Sequence, residues 1–209
     1  MNHPGENKKN FETIVSFLDR HEIAYWLDQG TLLGVYRDGA LLPWDRDVDL
    51  SVWPDEFDRI VELVDEFCTL GYTAIVTPEA DTVKFFSRSS GLSIEINRFF
   101  VHGDVCSRTG LRPRGNPAVD LAKRAIKALP PRVYFGILKL YNRTLRPDHV
   151  RLSVPARFYA EFTTLEFDGI TVRIPAQTEQ YLAYKYGPDW RTPRRDWDYV
   201  SQDGAVAKE

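Results

Sequence analysis

Residues 43–50 read PWDRDVDL, with aspartates at every second position: Asp45, Asp47 and Asp49. Apolar residues alternate with the last two aspartates, which is the pattern of a β-strand with one apolar and one polar face. Asp47 and Asp49 would then extend from the same face, about 7 Å apart along the strand. Three carboxylates this close repel one another unless a cation lies among them. The stretch predicts either an exposed acidic strand end or a metal site, and a short motif of this kind leaves both open.

A further carboxylate lies in SIEIN, residues 93–97, where Glu95 is predicted on the polar face of another strand. If the two strands pair, Asp47, Asp49 and Glu95 can hold two divalent cations, or one cation beside a general base. Carboxylate oxygens suit Mg²⁺, and Mn²⁺ shares this preference. Two interpretations of Asp45 are equally favoured: an additional metal ligand, and an ordinary aspartate of the turn before the strand. An ordinary solvated glutamate is the alternative for Glu95.

The residues upstream of the acidic stretch indicate an anion-binding turn. Gly30 and Thr31 follow a predicted short strand and begin a predicted helix that Gly39 ends. Backbone N–H groups at such a turn, with the Thr31 hydroxyl, can face a phosphate, and Arg37 lies about two turns further on. Phosphoryl transfer uses this combination: hydrogen-bond donors that hold a phosphate, followed in sequence by carboxylates that hold a metal.

Periodic patterns place the remaining elements. A helix with Asn10 as its N-cap is predicted near the amino terminus, and another begins at Pro54. The residues from Gly204 onward are predicted to be frayed. The other predicted elements are strands at 73–77, 82–88 and 92–100, a hairpin of 162–167 with 170–174, and a helix over 178–186. Together they indicate an α+β fold with one mixed sheet.

Composition limits the functional classes. The chain has 209 residues, of which 43% are apolar, enough for the core of a single domain. Its net charge of −3 gives no drive toward nucleic acid. Cys68 and Cys106 are far apart, which predicts neither a disulfide framework nor a zinc site. With no signal peptide and no spanning segment predicted, a cytoplasmic protein is expected.

The segment 105–160 has a different character and is predicted to be a helical insertion or subdomain. Within it, residues 123–146 are both basic and apolar. These residues would either contact an anionic membrane at its inner face or pack over the active site with a solvated basic surface, and the packed arrangement is favoured.

The string QGTLLGVYRDGALLPWDRDVDLSVW, residues 29–53, resembles the signature of the LicD family, which includes bacterial phosphocholine transferases, fukutin and fukutin-related protein. YLAYKYGPDWRTP, residues 181–193, resembles a late element of that family. The resemblance implies a nucleotidyltransferase-like mixed β-sheet flanked by helices, with a helical C-terminal portion. Residues 1–209 would form a single catalytic domain, with its core in about 1–104 and a C-terminal hairpin and helix in 161–203.

The resemblance also implies an activity: Mg²⁺-dependent transfer of phosphocholine, glycerol phosphate or ribitol phosphate. The donor would be a CDP-alcohol and the acceptor a sugar hydroxyl of a cell-surface glycan or glycolipid. The implied metal ligands are Asp45, Asp47, Asp49 and Glu95, and the implied phosphate-binding residues are Gly30, Thr31 and Arg37. Asp47, Asp49 and Glu95 are also the implied catalytic residues. The family usually has aspartate as the third carboxylate, so Glu95 is a departure whose role is either metal ligand or general base.

Two other functions use the same residues. A nucleotidyltransferase proper would move a nucleoside monophosphate from a triphosphate and release pyrophosphate. A non-catalytic module would keep the fold without the chemistry. The sequence leaves the alcohol, the acceptor and the oligomeric state open. It also leaves open whether Lys185, Trp190 and Arg191 line a donor pocket or form a helix cap and core cluster, while Lys84 is expected to be solvated.

Overall fold

The computed structural model describes residues 4–77, 81–90, 92–111 and 149–206. The helices are α1 (Pro4–Arg20), α2 (Gln29–Asp38), α3 (Pro54–Glu62), α4 (Val64–Thr69), α5 (Thr178–Tyr186) and α6 (Tyr199–Gln202). The strands are β1 (Tyr25–Leu27), β2 (Asp47–Val52), β3 (Tyr72–Thr77), β4 (Thr82–Ser87), β5 (Ser93–Arg98), β6 (Phe100–His102), β7 (Val105–Leu111), β8 (His149–Pro155), β9 (Phe162–Phe167) and β10 (Ile170–Pro175).

A five-stranded mixed sheet with the order β1-β2-β5-β4-β3 forms the centre of the molecule. The central pair β2 and β5 is parallel, whereas the other neighbours are antiparallel. This register places Asp49 beside Glu95. A three-stranded antiparallel sheet, β6-β7-β8, and the hairpin β9-β10 complete the fold. The predicted α+β class with a mixed sheet flanked by helices is confirmed.

The central strands are buried on both faces, which fixes their register. Val48, Leu50 and Val52 on one face of β2 are fully buried, and so are Ile94 and Ile96 of β5. The opposite face of β2 carries the acidic and hydroxyl side chains of the site. A shift of one residue would exchange the two faces, placing carboxylates in the apolar core. The alternation in the sequence therefore positions the aspartates.

Helix α1 begins earlier than the sequence predicted. Its first residue is Pro4, and Glu6 lies in its first turn, as is typical of helix starts. Asn10 is therefore within the helix and is not its N-cap. It is buried, and its Oδ1 accepts a hydrogen bond from the hydroxyl of Tyr72. A polar residue in this position attaches α1 to β3 instead of beginning the helix.

The predicted helix from Pro54 is divided into α3 and α4 by Leu63, whose ψ of 1° departs from helical geometry. The segment 105–160 was predicted to be a helical insertion, and this is wrong for its two described parts. They form the paired strands β7 and β8, and β8 is followed by a 3₁₀ turn, Ala156–Tyr159. Residues 112–148, with the basic stretch 123–146, lie outside the described residues. Within the described ranges, no helix is both long and apolar enough to cross a bilayer.

The residues from Asp203 to Val206 are packed, so the prediction of a frayed end from Gly204 is wrong for them. Ala205 is buried, and its carbonyl accepts a hydrogen bond from the N–H of Ser153 at 2.6 Å. Val206 forms a bridge with Leu152 of β8. A side chain at Gly204 would overlap the backbone of α5. The prediction rested on the position of these residues near the end of the sequence, whereas pairing with β8, distant in sequence, orders them.

Candidate active site

The three aspartates of the opening stretch converge. Asp45 comes from the turn before β2, and Asp47 and Asp49 come from the strand itself. Ligand oxygens of the three carboxylates all lie within 4.8 Å of one another. Asp49 is buried, while the other two are half-buried. We call these three residues the acidic cluster.

Helices α1 and α2 hold Asp45. The Nδ2 group of Asn7 in α1 donates to the backbone carbonyl of Asp45 at 3.0 Å. Gly30 in the first turn of α2 lies directly against the Asp45 carboxylate, so that a Cβ at this position would overlap Oδ2. Glycine is therefore required at position 30 because the Asp45 carboxylate approaches its backbone closely.

Contacts from the start of α2 also hold Asp49. Its backbone N–H donates to Oγ1 of buried Thr31 at 2.8 Å. Nε2 of Gln29 donates to Oδ1 of Asp49 at 3.3 Å, from a residue with a φ of +49°. Thr31 was expected to bind phosphate. The described contacts give it a role in positioning Asp49, and its contact with phosphate stays a prediction.

A second, buried carboxylate supports the same region and was missed from the sequence. Asp28 is the N-cap of α2, and its Oδ1 accepts a hydrogen bond from the N–H of Gln29 at 2.7 Å. Its Oδ2 accepts from Ser51 at 2.7 Å, and Oδ1 also accepts from the hydroxyl of Tyr181. Tyr159 lies 3.3 Å from Oδ2. An aspartate directly before a helix was the available signal for its capping role.

The acidic cluster is electrostatically unfavourable as a set of bare carboxylates. Burial, followed by the hydrogen bond and charge of Asp47, raises the pKa of Asp45 to about 9. Burial also raises the pKa of Asp49 well above its usual value, with Asp47 and Asp28 adding to the effect. The positive charges of Arg108 and Lys84 act on Asp49 in the opposite direction. A bound divalent cation would relieve this repulsion, so the donor set fits a hard cation.

Glu95 lies beside the acidic cluster but has a partner of its own. Its Cα is in register with that of Asp49 on β2 and with that of Lys84 on β4. The Lys84 ammonium forms an ion pair with the Glu95 carboxylate. The expectation of a solvated lysine is therefore wrong. The structure brings the three aspartates together and leaves Glu95 adjacent to them, paired with Lys84.

A cavity of about 260 Å³ adjoins the acidic cluster, and we call it the cleft. Asp45, Asp49 and Gly30 line it together with residues of α5 and of the chain between α5 and α6. The aromatic residues that line it are Trp44, Tyr186, Trp190 and Trp197. The cationic residues that line it are Arg37, Lys185, Arg194 and Arg195. Carboxylates for a metal thus share the cleft with cations and aromatic rings.

The family described as LicD/FKTN/FKRP, nucleotidyltransferase domain, matches residues 22–137, more than half of the chain. The chain belongs to the LicD family. The match includes α2, the acidic cluster and β5, the elements that build the site. The nucleotidyltransferase domain in the family's description agrees with the mixed sheet that carries the cluster.

Individual relatives support the same assignment. The mouse ribitol-5-phosphate transferase FKTN is 23% identical over 180 residues, which cover 86% of this chain and 32% of that protein. The human ribitol 5-phosphate transferase FKRP is 27% identical over 135 residues, 60% of this chain and 26% of that protein. The lipopolysaccharide cholinephosphotransferase LicD of Haemophilus influenzae is 40% identical over 45 residues, 22% of this chain and 17% of that protein. The chain thus spans about a third or less of these relatives.

Two cations of the cleft in this LicD-family chain are already engaged. The Nε and Nη2 groups of Arg37 donate to the Asp38 carboxylate at 2.8 and 2.7 Å, and Nη1 donates to the carbonyl of Trp190 at 3.1 Å. Its side chain is only 6% exposed. A contact between Arg37 and phosphate, which the resemblance implied, would compete with these bonds. Lys185 is buried in an ion pair with Asp203 at 2.6 Å.

Residues 181–193, the late element that resembles the LicD family, both line the cleft and contribute to the core, the two roles that the sequence left open. Trp190 and Lys185 line the cleft and are also buried. Arg191 does not line it: this exposed residue lies over the Trp190 ring, 4.3 Å from its centroid, and pairs with Glu179. Besides Asp28, sequence reasoning missed the cleft-lining residues Arg194, Arg195 and Trp197. Their only signal was a basic and aromatic composition shortly after Gly187.

Proposed function

We propose that this protein transfers a phospho-alcohol unit from a CDP-linked donor to a sugar hydroxyl of a glycan or glycolipid. The acidic cluster at a cleft lined by cations and aromatic rings is the observation that carries the proposal. Carboxylates suit a metal that binds phosphate, cations suit a diphosphate, and aromatic rings suit a nucleobase. The transferase names of the relatives support the same class of reaction.

Asp45, Asp47 and Asp49 would hold the divalent cation, Mg²⁺ or Mn²⁺. Their shared position, their oxygen donors and the raised pKa of Asp45 and Asp49 fit such an ion. When bound, the cation would neutralise charge on the phosphate oxygens of the donor. The chain's own contribution is to fix the ligands: Thr31 and Gln29 hold Asp49, and Asn7 and Gly30 hold Asp45.

Glu95 is the proposed proton acceptor. The ammonium of Lys84 lies against its carboxylate, where it would repel a second divalent cation. Of the two roles open to Glu95, the arrangement therefore favours general base over metal ligand. The acceptor oxygen forms a bond to the phosphorus that bears the alcohol, the bond from that phosphorus to CMP breaks, and the acceptor proton passes to Glu95.

The cleft favours an uncharged alcohol over choline. The guanidinium of Arg195 lies over the Trp44 ring, 5.3 Å from its centroid, and that of Arg194 lies over the Trp197 ring at 5.7 Å. A quaternary ammonium group needs aromatic faces free of positive charge. Ribitol or glycerol meets no such repulsion. The relatives named for ribitol phosphate also match far more of the chain than the one named for choline phosphate.

A product assay tests the proposal. The protein is incubated with Mg²⁺, a sugar acceptor and CDP-ribitol, CDP-glycerol, CDP-choline or CTP, and phosphorus NMR identifies the products. We expect CMP from CDP-ribitol or CDP-glycerol, and less from CDP-choline. Pyrophosphate from CTP would show a nucleotidyltransferase instead. Tight donor binding without turnover over a panel of sugar acceptors would favour a non-catalytic module.

The proposed site of action is the cytoplasm, where a glycolipid acceptor would lie at the inner face of a membrane. Contact through residues 123–146, outside the described residues, stays a prediction. Sedimentation with anionic liposomes at low and high salt tests it.

A further inference from the structure

The cationic side chains that line the cleft differ in whether a carboxylate already neutralises their charge. The Arg37 guanidinium is committed to Asp38 and to the carbonyl of Trp190. Lys185 is neutralised by Asp203 within the core. Arg194 has a long contact, 3.7 Å, with the exposed carboxylate of Asp196. Within the described ranges, Arg195 has no carboxylate partner.

Arg195 is also well placed. It is exposed, lines the cleft, and lies over the ring of Trp44. Trp44 directly precedes Asp45 in sequence, so the stack brings the guanidinium to the edge of the acidic cluster. Stacking on an indole orients a guanidinium while leaving its N–H groups in the ring plane free to donate. A preoriented, unpaired guanidinium beside a metal site is suited to a diphosphate, which it can contact with two parallel hydrogen bonds.

We propose that Arg195, assisted by Arg194, is the diphosphate-binding group of the cleft, in place of Arg37. The cleft-lining residues Trp190, Arg194, Arg195 and Trp197 then form the wall that recognises the donor. This inference rests on the proposed function, because it assumes a donor that contains a diphosphate. It assigns Arg37 to a positioning role, in which it joins α2 to the backbone of that wall.

A residue outside this wall provides a matched control. Arg191 is an exposed arginine that also lies over a tryptophan ring, but it does not line the cleft. Replacing Arg191 by alanine removes a surface ion pair with Glu179, which contributes little to stability. Arg195→Lys provides a second comparison, because it keeps the charge and loses the planar fork.

Isothermal titration calorimetry in Mg²⁺ tests the inference with CDP and with inorganic pyrophosphate as separate probes. We expect Arg195→Ala to weaken binding of both by about 10- to 100-fold, the loss of a charged hydrogen-bonding partner. Arg195→Lys should fall between Arg195→Ala and the wild type, and Arg191→Ala should match the wild type. The melting temperature without ligand should be the same in all variants, because both arginines are exposed.

The two probes separate this inference from the proposed function. If the wild type binds CDP and Arg195→Ala binds it equally well, the assignment of Arg195 is overturned and the proposed function stands. Arg195-dependent binding of pyrophosphate without binding of CDP would support the diphosphate site and contradict a cytidine donor. Failure of the wild type to bind either probe would overturn both.

Discussion

At the scale of single residues, two aspartates of the acidic cluster, Asp45 and Asp49, are held by identifiable contacts. Gly30 leaves room for the Asp45 carboxylate, and Asn7 holds its backbone. Thr31 accepts a hydrogen bond from the N–H of Asp49. These contacts, with the place of Asp47 on β2, keep mutually repelling carboxylates together before any cation binds. The site is therefore preorganised by α1 and α2, and changes in those helices should affect activity.

Gly30→Ala is expected to displace the Asp45 carboxylate and lower Mg²⁺-dependent turnover by at least about tenfold, the effect of losing roughly 1.4 kcal/mol of transition-state stabilisation. The added methyl group would overlap Oδ2 of Asp45. Gly5→Ala is the control, since a methyl group there would meet nothing within 4 Å. Initial rates at several Mg²⁺ concentrations measure the effect. Equal rates for Gly30→Ala and the wild type would show that the position of Asp45 is unimportant.

Glu95→Gln separates the two roles of that residue. As the proton acceptor, Glu95 should contribute about 10²- to 10⁴-fold to the rate, so the glutamine variant should lose turnover at an unchanged Mg²⁺ affinity. The measurements are turnover and Mg²⁺ dependence in the same preparation. A weaker apparent Mg²⁺ affinity would instead identify Glu95 as a metal ligand. Wild-type values for both would make Glu95 an ordinary strand residue.

At the scale of secondary-structure elements, the start of α2 links the acidic cluster to the core. The Asp28 carboxylate accepts hydrogen bonds from Gln29, Ser51 and Tyr181. Burial, followed by the charge of Asp28, raises the pKa of Tyr159 and Tyr181, so both hydroxyls remain protonated donors. The N-cap of one helix thus connects β2, α5 and the 3₁₀ turn before β9.

Asp28→Ala is expected to lower the free energy of unfolding by roughly 2–4 kcal/mol, since it removes an N-cap and leaves buried hydroxyl groups unpaired. Urea denaturation with and without the substitution measures the loss. Tyr181→Phe removes one donor and leaves the cap, so its effect should be about 1 kcal/mol. A loss as large as that of Asp28→Ala would place most of the stabilisation in the tyrosine hydroxyl instead of the cap.

The elements that could be predicted from the sequence are those with a local signal. Alternation identified β2 and β5, and glycines identified the ends of α2 and α5. The pairing of β7 with β8 could not be predicted, because the two strands are far apart in sequence and each carries polar residues. For the same reason, Arg195 was missed: its relation to Trp44 depends on tertiary packing and not on spacing. The metal-binding role of the aspartates could be proposed from the sequence because Asp47 and Asp49 alternate along one strand and so share a face.

At the scale of the whole molecule, residues 203–206 connect the lining of the cleft to β8. Asp203 pairs with Lys185 in the core, and the residues after it join β8. Both charged side chains are almost fully buried, and both line the cleft. A buried charge without its partner is strongly destabilising, so this pair attaches the end of the described chain to α5.

Asp203→Ala is expected to destabilise the protein by about 3–5 kcal/mol, because it leaves the Lys185 ammonium buried without a counter-charge. The double variant Lys185→Met with Asp203→Leu should recover much of this loss, since it removes both charges. Thermal and urea unfolding of the three proteins measure the difference. A double variant as unstable as Asp203→Ala would show that the aspartate acts through its hydrogen bond to the N–H of Ala205.

The central claim is that the acidic cluster binds the metal that phospho-alcohol transfer requires, and direct titration with Mn²⁺ tests it. Free Mn²⁺ is followed by electron paramagnetic resonance in the wild type, Asp47→Asn, Asp49→Asn and the exposed control Asp55→Asn. We expect saturable binding in the wild type and the control, at least a tenfold loss in the other two, and displacement by Mg²⁺. Unchanged Mn²⁺ affinity in both Asp47→Asn and Asp49→Asn would contradict the claim.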